Sequence, residues 1–194
     1  LLTDAANELT FTRTDGGGGL YYTAHLRASL PVPAIEPLDN GIILQRQYFL
    51  PDDPDTPVTQ AHVGQNVQVR LTIIVPQNRH YVVLTDPIPA GTDAVNPNLA
   101  TSEQIGTRPT LDRADPLSRG WGWWWFSNTE FRDEAVVLYA EFLPAGTYEW
   151  VYTIRAGLPG VYNVIPPTGE EFYFPEIFGR GAGSTFTILP AEAE

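Results

Sequence analysis

A chain of 194 residues with 43% hydrophobic and 12% aromatic content can bury a sizeable core, so its 17 Gly and 18 Pro do not mark it as disordered. The net charge of −12 sets 23 acidic residues against 11 basic ones, all arginine, and an acidic surface without basic clusters excludes a phosphate-backbone partner. With no cysteine there is no disulfide, thiolate metal site or cysteine nucleophile, and with no lysine there is no self-formed Lys–Asn isopeptide bond.

Along the chain, Leu9–Arg13 alternates weakly and reads as a strand. Gly16–Gly19 then turns into the alternation of Leu20, Tyr22, Ala24 and Leu26, which predicts a hairpin across the glycines. The prolines of Pro31–Pro37 cannot sustain a ladder and read as an extended linker. This division gives residues 1–30 as an N-terminal β element and residues 36–190 as the main sandwich domain. Gly41–Phe49 is the next strand, ended by Pro51–Asp55.

Gly64–Val75 alternates most cleanly. Val67, Val69, Leu71, Ile73 and Val75 share one parity against Gln68, Arg70 and Thr72, which buries one face and wets the other. Tyr81–Thr85 leads into a P-A-G turn at Pro89–Gly91, and residues 92–120 form a long polar loop. After the tryptophans at 121–125, Val136, Leu138, Ala140 and Phe142 form one strand face. Pro144–Gly146 supplies a second P-A-G turn, where Pro removes a donor and Gly tolerates positive φ. Tyr148, Trp150, Tyr152 and Ile154 then alternate with Glu149, Thr153 and Arg155. Gly160–Ile165 and Ser184–Leu189 complete eight or nine strands with no helix, which predicts an all-β, antiparallel, Greek-key sandwich of the immunoglobulin-like class with long loops.

No apolar run approaches the roughly 20 residues that cross a bilayer, and no N-terminal signal peptide is evident. The absence of methionine predicts that Leu1 is an internal residue of a larger protein.

Candidate chemistry is sparse. Trp121, Trp123, Trp124 and Trp125 either cap one end of the sandwich or form an interaction surface for sugar or protein. Asp52, Asp53 and Asp55 are interrupted by prolines and read as an acidic turn rather than a calcium loop. His25, His62 and His80 lack metal-ligand spacing and read as surface or rim residues. No nucleophile elbow, phosphate loop or zinc-protease motif occurs, so neither a catalytic, a cofactor nor a metal site is expected. Glu170–Arg180 (EEFYFPEIFGR) gathers Phe172, Tyr173, Phe174, Ile177 and Phe178 in what Pro175 and Gly179 suggest is an irregular loop. That apolar area needs burial against this domain or a neighbour.

Several segments together resemble the C-terminal macroglobulin domain of bacterial α2-macroglobulin-like proteins. They are LYYTAHLR (Leu20–Arg27), LDNGIILQRQYF (Leu38–Phe49), VGQNVQVRLTI (Val63–Ile73) and VVLTDPIPAGTDAVNPNLAT (Val82–Thr101). FRDEAVVLYAEFLPAGTYEWVYTIRAGLPGVYNVIPP (Phe131–Pro167) and EEFYFPEIFGR carry the most specific likeness. The resemblance implies a non-enzymatic module of a cell-envelope or extracellular protease trap. Its partners would be other domains of the parent chain, above all a thioester domain, and proteases through the whole protein.

In that family an aromatic residue of the terminal domain keeps water from the reactive thioester. By position in the motif the resemblance gives that role to Tyr173, with Phe172, Phe174 and Phe178 as supporting contacts. The thioester itself needs a cysteine, which this chain lacks, so the fragment alone would not inhibit. Two other readings remain open: an immunoglobulin-like stalk or adhesive module, suggested by Gly64–Gly91, and a tryptophan-based carbohydrate-binding module.

Overall fold

The computed structural model of the chain describes residues 8, 10–13, 16–17, 19–25, 29–96 and 125–191. A 3-10 turn at Val32–Ala34 precedes β1 (Leu38–Asn40), β2 (Ile43–Leu50), β3 (Asp53–Pro57), β4 (Gln60–His62) and β5 (Asn66–Val75). Next come β6 (Arg79–Pro87), β7 (Thr92–Val95), β8 (Asn128–Phe131), β9 (Ala135–Leu143) and β10 (Gly146–Ala156). The last four are β11 (Gly160–Val164), β12 (Thr168–Glu171), β13 (Phe174–Arg180) and β14 (Ser184–Leu189).

They form a six-stranded sheet ordered β1-β13-β12-β6-β9-β8, a five-stranded sheet ordered β3-β2-β5-β10-β7, and a three-stranded sheet ordered β11-β14-β4. The ladders are antiparallel except that of β14 with β4. The all-β, antiparallel sandwich expected from the alternation is therefore present. Strands beyond the expected eight or nine are mostly short edge pieces such as β1, β3, β4 and β8, whose few residues carry too little alternation to be read.

The core follows from parity. Val67, Val69, Leu71, Ile73 and Val75 are all buried, as are Tyr148, Tyr152 and Ile154 on the neighbouring β10. They share one core with Val82, Leu84, Val136, Leu138 and Ala140 of the six-stranded sheet. Each buried Val, Leu or Ile among them contributes about 1.5–3 kcal/mol by leaving water. Phe186 on β14 meets Tyr48 on β2 at 4.8 Å between ring centroids, which joins the third sheet to the same core.

One glycine fixes a close approach. A Cβ on Gly179 of β13 would lie 1.9 Å from the Ile42 carbonyl oxygen, so only glycine lets β13 pass this backbone. The first P-A-G turn does use positive φ, at Gly91 with φ of 84°. The second does not: Gly146 lies within β10 without a left-handed backbone. There the Tyr148 hydroxyl donates to the Pro144 carbonyl at 2.6 Å, and the Ala145 N–H donates to Asn78 Oδ1 at 2.9 Å.

Several expectations are corrected. Glu170–Arg180 is no irregular loop; it is the hairpin β12–β13 turning at Phe172 and Tyr173. A register shift between Glu170 and Glu171 absorbs the extra residues around Pro175, so no ladder bond to β12 is demanded of the proline. Pro31–Pro37 does not stand clear as a linker, because the Gly183 N–H donates to the Ile35 carbonyl at 2.9 Å and ties the segment to the domain. Asp53 and Asp55 lie on edge strand β3 rather than in a turn, and prolines suit an edge that needs no outer partner.

Parity misplaces three side chains, of which Gln68 is buried on the face read as wet. Glu149 is buried beside Arg70 instead of wet, and Phe142 is exposed near the end of β9, where its ring meets that of His80 at 4.9 Å in a tilted pair. At the N-terminus, none of the described residues from Glu8 to Leu30 is in a strand, although Phe11 and Tyr22 stack at 4.5 Å. The expected Leu9–Arg13 strand and glycine hairpin are not formed by those residues, and Leu9, Gly18, Leu26 and Arg27 lie outside the described set. A glycine-rich pair of short segments has little to stabilise it without a third strand.

Candidate interdomain surface

The hairpin β12–β13 gathers the expected aromatic residues at one end of the six-stranded sheet. β12 pairs with β6 (Glu171 opposite Val82, Glu170 opposite Val83), so its turn emerges beside His80 and Tyr81. Two hydrogen bonds fix the turn there. The Phe172 N–H donates to the Tyr81 carbonyl at 2.8 Å, and the His80 N–H donates to Glu171 Oε1 at 3.0 Å. Glu171 is buried, so this carboxylate serves as a backbone tie.

The rings around the tip form an edge-to-face cluster. Tyr81 meets Tyr173 at 5.1 Å and 88°, and Phe172 meets Tyr173 at 5.2 Å and 87°. Phe172, Tyr173, Phe174, Tyr81 and Phe142 are 64%, 65%, 58%, 53% and 44% exposed, so these rings belong to the surface and not to a core. Phe178, three residues from Pro175 on β13, is only half-buried and pairs with both Glu170 and Asn40 across the sheet. Beside the tip, Tyr81, Val83, Tyr139, Ala140, Phe172 and Tyr173 help line a shallow groove of about 190 Å³.

Sequence reasoning named Tyr173, Phe172, Phe174 and Phe178 and missed His80, Tyr81, Phe142 and Glu171 as their neighbours. The available signal was weak: Arg79-His80-Tyr81 opens a strand with residues that break its apolar alternation.

Of the four clustered tryptophans only Trp125 lies among the described residues, and its ring contact is with the core rather than with the hairpin tip. Trp125 is half-buried and packs edge-on against Tyr148 at 5.2 Å, while Phe126 meets Trp150 at 5.3 Å. Trp121, Trp123 and Trp124 lie outside the described residues. Among the described residues no group of His, Asp and Glu side chains is placed to hold a metal ion. His25 is exposed, and His62 places Nδ1 2.8 Å from the Pro190 carbonyl.

Behind the surface, buried polar groups tie sheet to sheet. Arg46 on β2 donates to Asp86 Oδ1 on β6 at 2.6 Å and to the Pro87 carbonyl at 2.8 Å. Tyr152 on β10 donates to the other Asp86 oxygen at 2.8 Å. Burial pushes the Asp86 carboxyl up from its ordinary pKa, opposed by Arg46 and by the two hydrogen bonds. On the outer face of the five-stranded sheet, Arg70 lies 2.8 Å from Glu149 and 4.1 Å over the Phe49 ring. Burial likewise raises the Glu149 pKa, with Arg70 opposing it.

Three β-sheets packed around one core, with an aromatic hairpin tip held at the end of the largest, define an immunoglobulin-like β-sandwich domain. The sequence profile described as "Bacterial Alpha-2-macroglobulin MG10 domain" matches residues 41–176. The chain belongs to that bacterial α2-macroglobulin domain family.

Its relatives include an "Alpha-2-macroglobulin" of Xylella fastidiosa, 28% identical over 82% of this chain and 10% of that protein. The "Circularly permutated Ras protein 2" of Dictyostelium discoideum is 28% identical over 86% of this chain and 4% of that protein. Among solved structures, Salmonella α2-macroglobulin reacted with methylamine matches with a TM-score of 0.62 and 26% identity, over 81% of this chain and 10% of that one. The chain thus spans about a tenth or less of the length of these relatives.

Proposed function

We propose that this chain is the terminal macroglobulin module of a bacterial α2-macroglobulin-like protease trap, and that its aromatic hairpin tip packs on the thioester domain of the same parent protein. In this reading the module performs no catalysis. It covers a reactive bond carried elsewhere and holds the trap in its unreacted form. Residues 36–190 are the module and residues 1–30 lead into it. The setting is the cell envelope or the cell exterior, and no helix among the described residues is long and apolar enough to cross a membrane.

The observation that carries the proposal is the exposure of Phe172, Tyr173 and Phe174 on a hairpin that is itself rigidly tied. A mobile loop exposing such rings would fold them onto its own domain. Here the bonds from His80 to Glu171 and from Phe172 to Tyr81 hold them outward. A neighbouring surface that removes these rings from water would gain on the order of 25 cal/mol per Å² of apolar area.

Hydrogen exchange tests this packing. The amides of residues 171–174 are expected to exchange more slowly in the intact parent protein than in the isolated chain, and to lose that protection when the parent's thioester is opened. Equal exchange in all three states would refute the docking.

A further inference from the structure

We infer that Tyr81 is a positioning residue for Tyr173, its left-handed backbone and its ring together fixing the direction in which the hairpin tip presents that side chain. The inference rests on the reading of the tip as the docking surface and adds a residue to it.

Among the described residues Tyr81 is the one non-glycine with positive φ, at 51°. It lies inside β6, yet the ladder to β9 runs in one register on either side of it, with His80 opposite Phe142 and Val82 opposite Ala140. The unusual backbone is therefore not the by-product of an inserted residue. It coincides with the place where the peptide groups next to Tyr81 turn to the tip: the His80 N–H to Glu171, and the Tyr81 carbonyl to the Phe172 N–H.

Glycine would adopt this conformation without strain, because the penalty comes from the Cβ. What tyrosine adds over glycine is its ring. That ring is half exposed, so it contributes little to the core, and its aromatic contact is the edge-to-face meeting with Tyr173 at 5.1 Å. A strained residue kept at an exposed site, with its side chain spent on one neighbour, is the pattern expected of a functional constraint. The geometry leaves Tyr173 held from two sides, by Phe172 and by Tyr81, and open on the outside.

The test compares Y81F and Y81G. In the full chain, NMR reads the ring shifts and χ1 rotamer of Tyr173. Y81F keeps the ring and should leave both unchanged. Y81G should collapse the ring-current shift and average the rotamer while Tm stays level or rises, a combination that a merely structural role does not produce.

In the parent protein Y81G should shorten the thioester lifetime about two- to ten-fold, the range that loss of one aromatic pair implies, with Y81F at the wild-type value. An unchanged Tyr173 rotamer in Y81G overturns the inference outright. An unchanged lifetime in Y81G, with a shortened one in Y173A, overturns the positioning role but leaves the docking reading standing. An unchanged lifetime in Y173A removes both.

Discussion

Arg46 on β2 and Asp86 on β6 meet at 2.6 Å across the space between the two large sheets, with side chains only 3% and 2% exposed. The pair is a polar pin in an apolar core. Its remaining groups are satisfied by the Pro87 and Ile165 carbonyls and by the Tyr152 hydroxyl. A buried pair of this kind repays its desolvation only when complete, so removing one partner costs far more than removing both.

Asp86→Asn should therefore destabilise the chain by about 3–5 kcal/mol, because Arg46 is left buried without its counter-charge. Replacing both residues by apolar ones, Arg46→Met with Asp86→Leu, should cost less than the single change. Urea unfolding of the three proteins reads the difference directly, and a double variant less stable than D86N would contradict the account.

Glu149 gives a pH signature of unusual sign. Its folded pKa is raised by burial, so between its ordinary and folded values the native state holds a proton that the unfolded chain has released. Its contribution is complete below the ordinary carboxylate value and is lost as pH rises through the folded one. The Tm difference between the protein and E149Q should accordingly shift in the protein's favour as pH falls from about 7 to about 4, spanning the ordinary glutamate value. A constant difference across that range would show that burial does not perturb this group.

Gly179→Ala places a methyl against the Ile42 backbone, which cannot yield as a flexible side chain would. Because β13 is paired on both sides, with β1 and with β12, it cannot move away cheaply. A loss of about 1–3 kcal/mol is expected, the usual range for overpacking. Gly64→Ala is the comparison, since no neighbouring atom would meet its Cβ and only its φ of 90° opposes the change. Thermal melts should rank G179A below G64A.

Much of the sandwich was legible in residue parity. The run from Val67 to Val75 forms the inner face of a central strand as read, and Ser184–Leu189 is β14 with the same bounds. Parity failed where a partner decided the outcome. Glu149 is on the outer face and should be wet, but Arg70 and its neighbours cover it. Phe142 has core parity but sits where β9 approaches the exposed end of the sheet.

The hairpin at Glu170–Arg180 was hidden by Pro175, whose cost is removed by a register shift that no local pattern announces. The rings of the tip were visible as a composition. What holds them was not, because His80 and Tyr81 lie about ninety residues earlier, and their contribution is made through backbone groups that any residue type possesses.

The central claim is that Tyr173 shields a thioester carried by the parent protein. Its most direct measurement is the rate at which free thiol appears in the intact parent, compared between the unaltered protein and Y173A, with the Tm of each recorded. The account predicts faster thiol release in Y173A at an unchanged Tm, since a ring 65% exposed contributes little to the fold of its own domain. Equal rates of thiol release in the two proteins would contradict it.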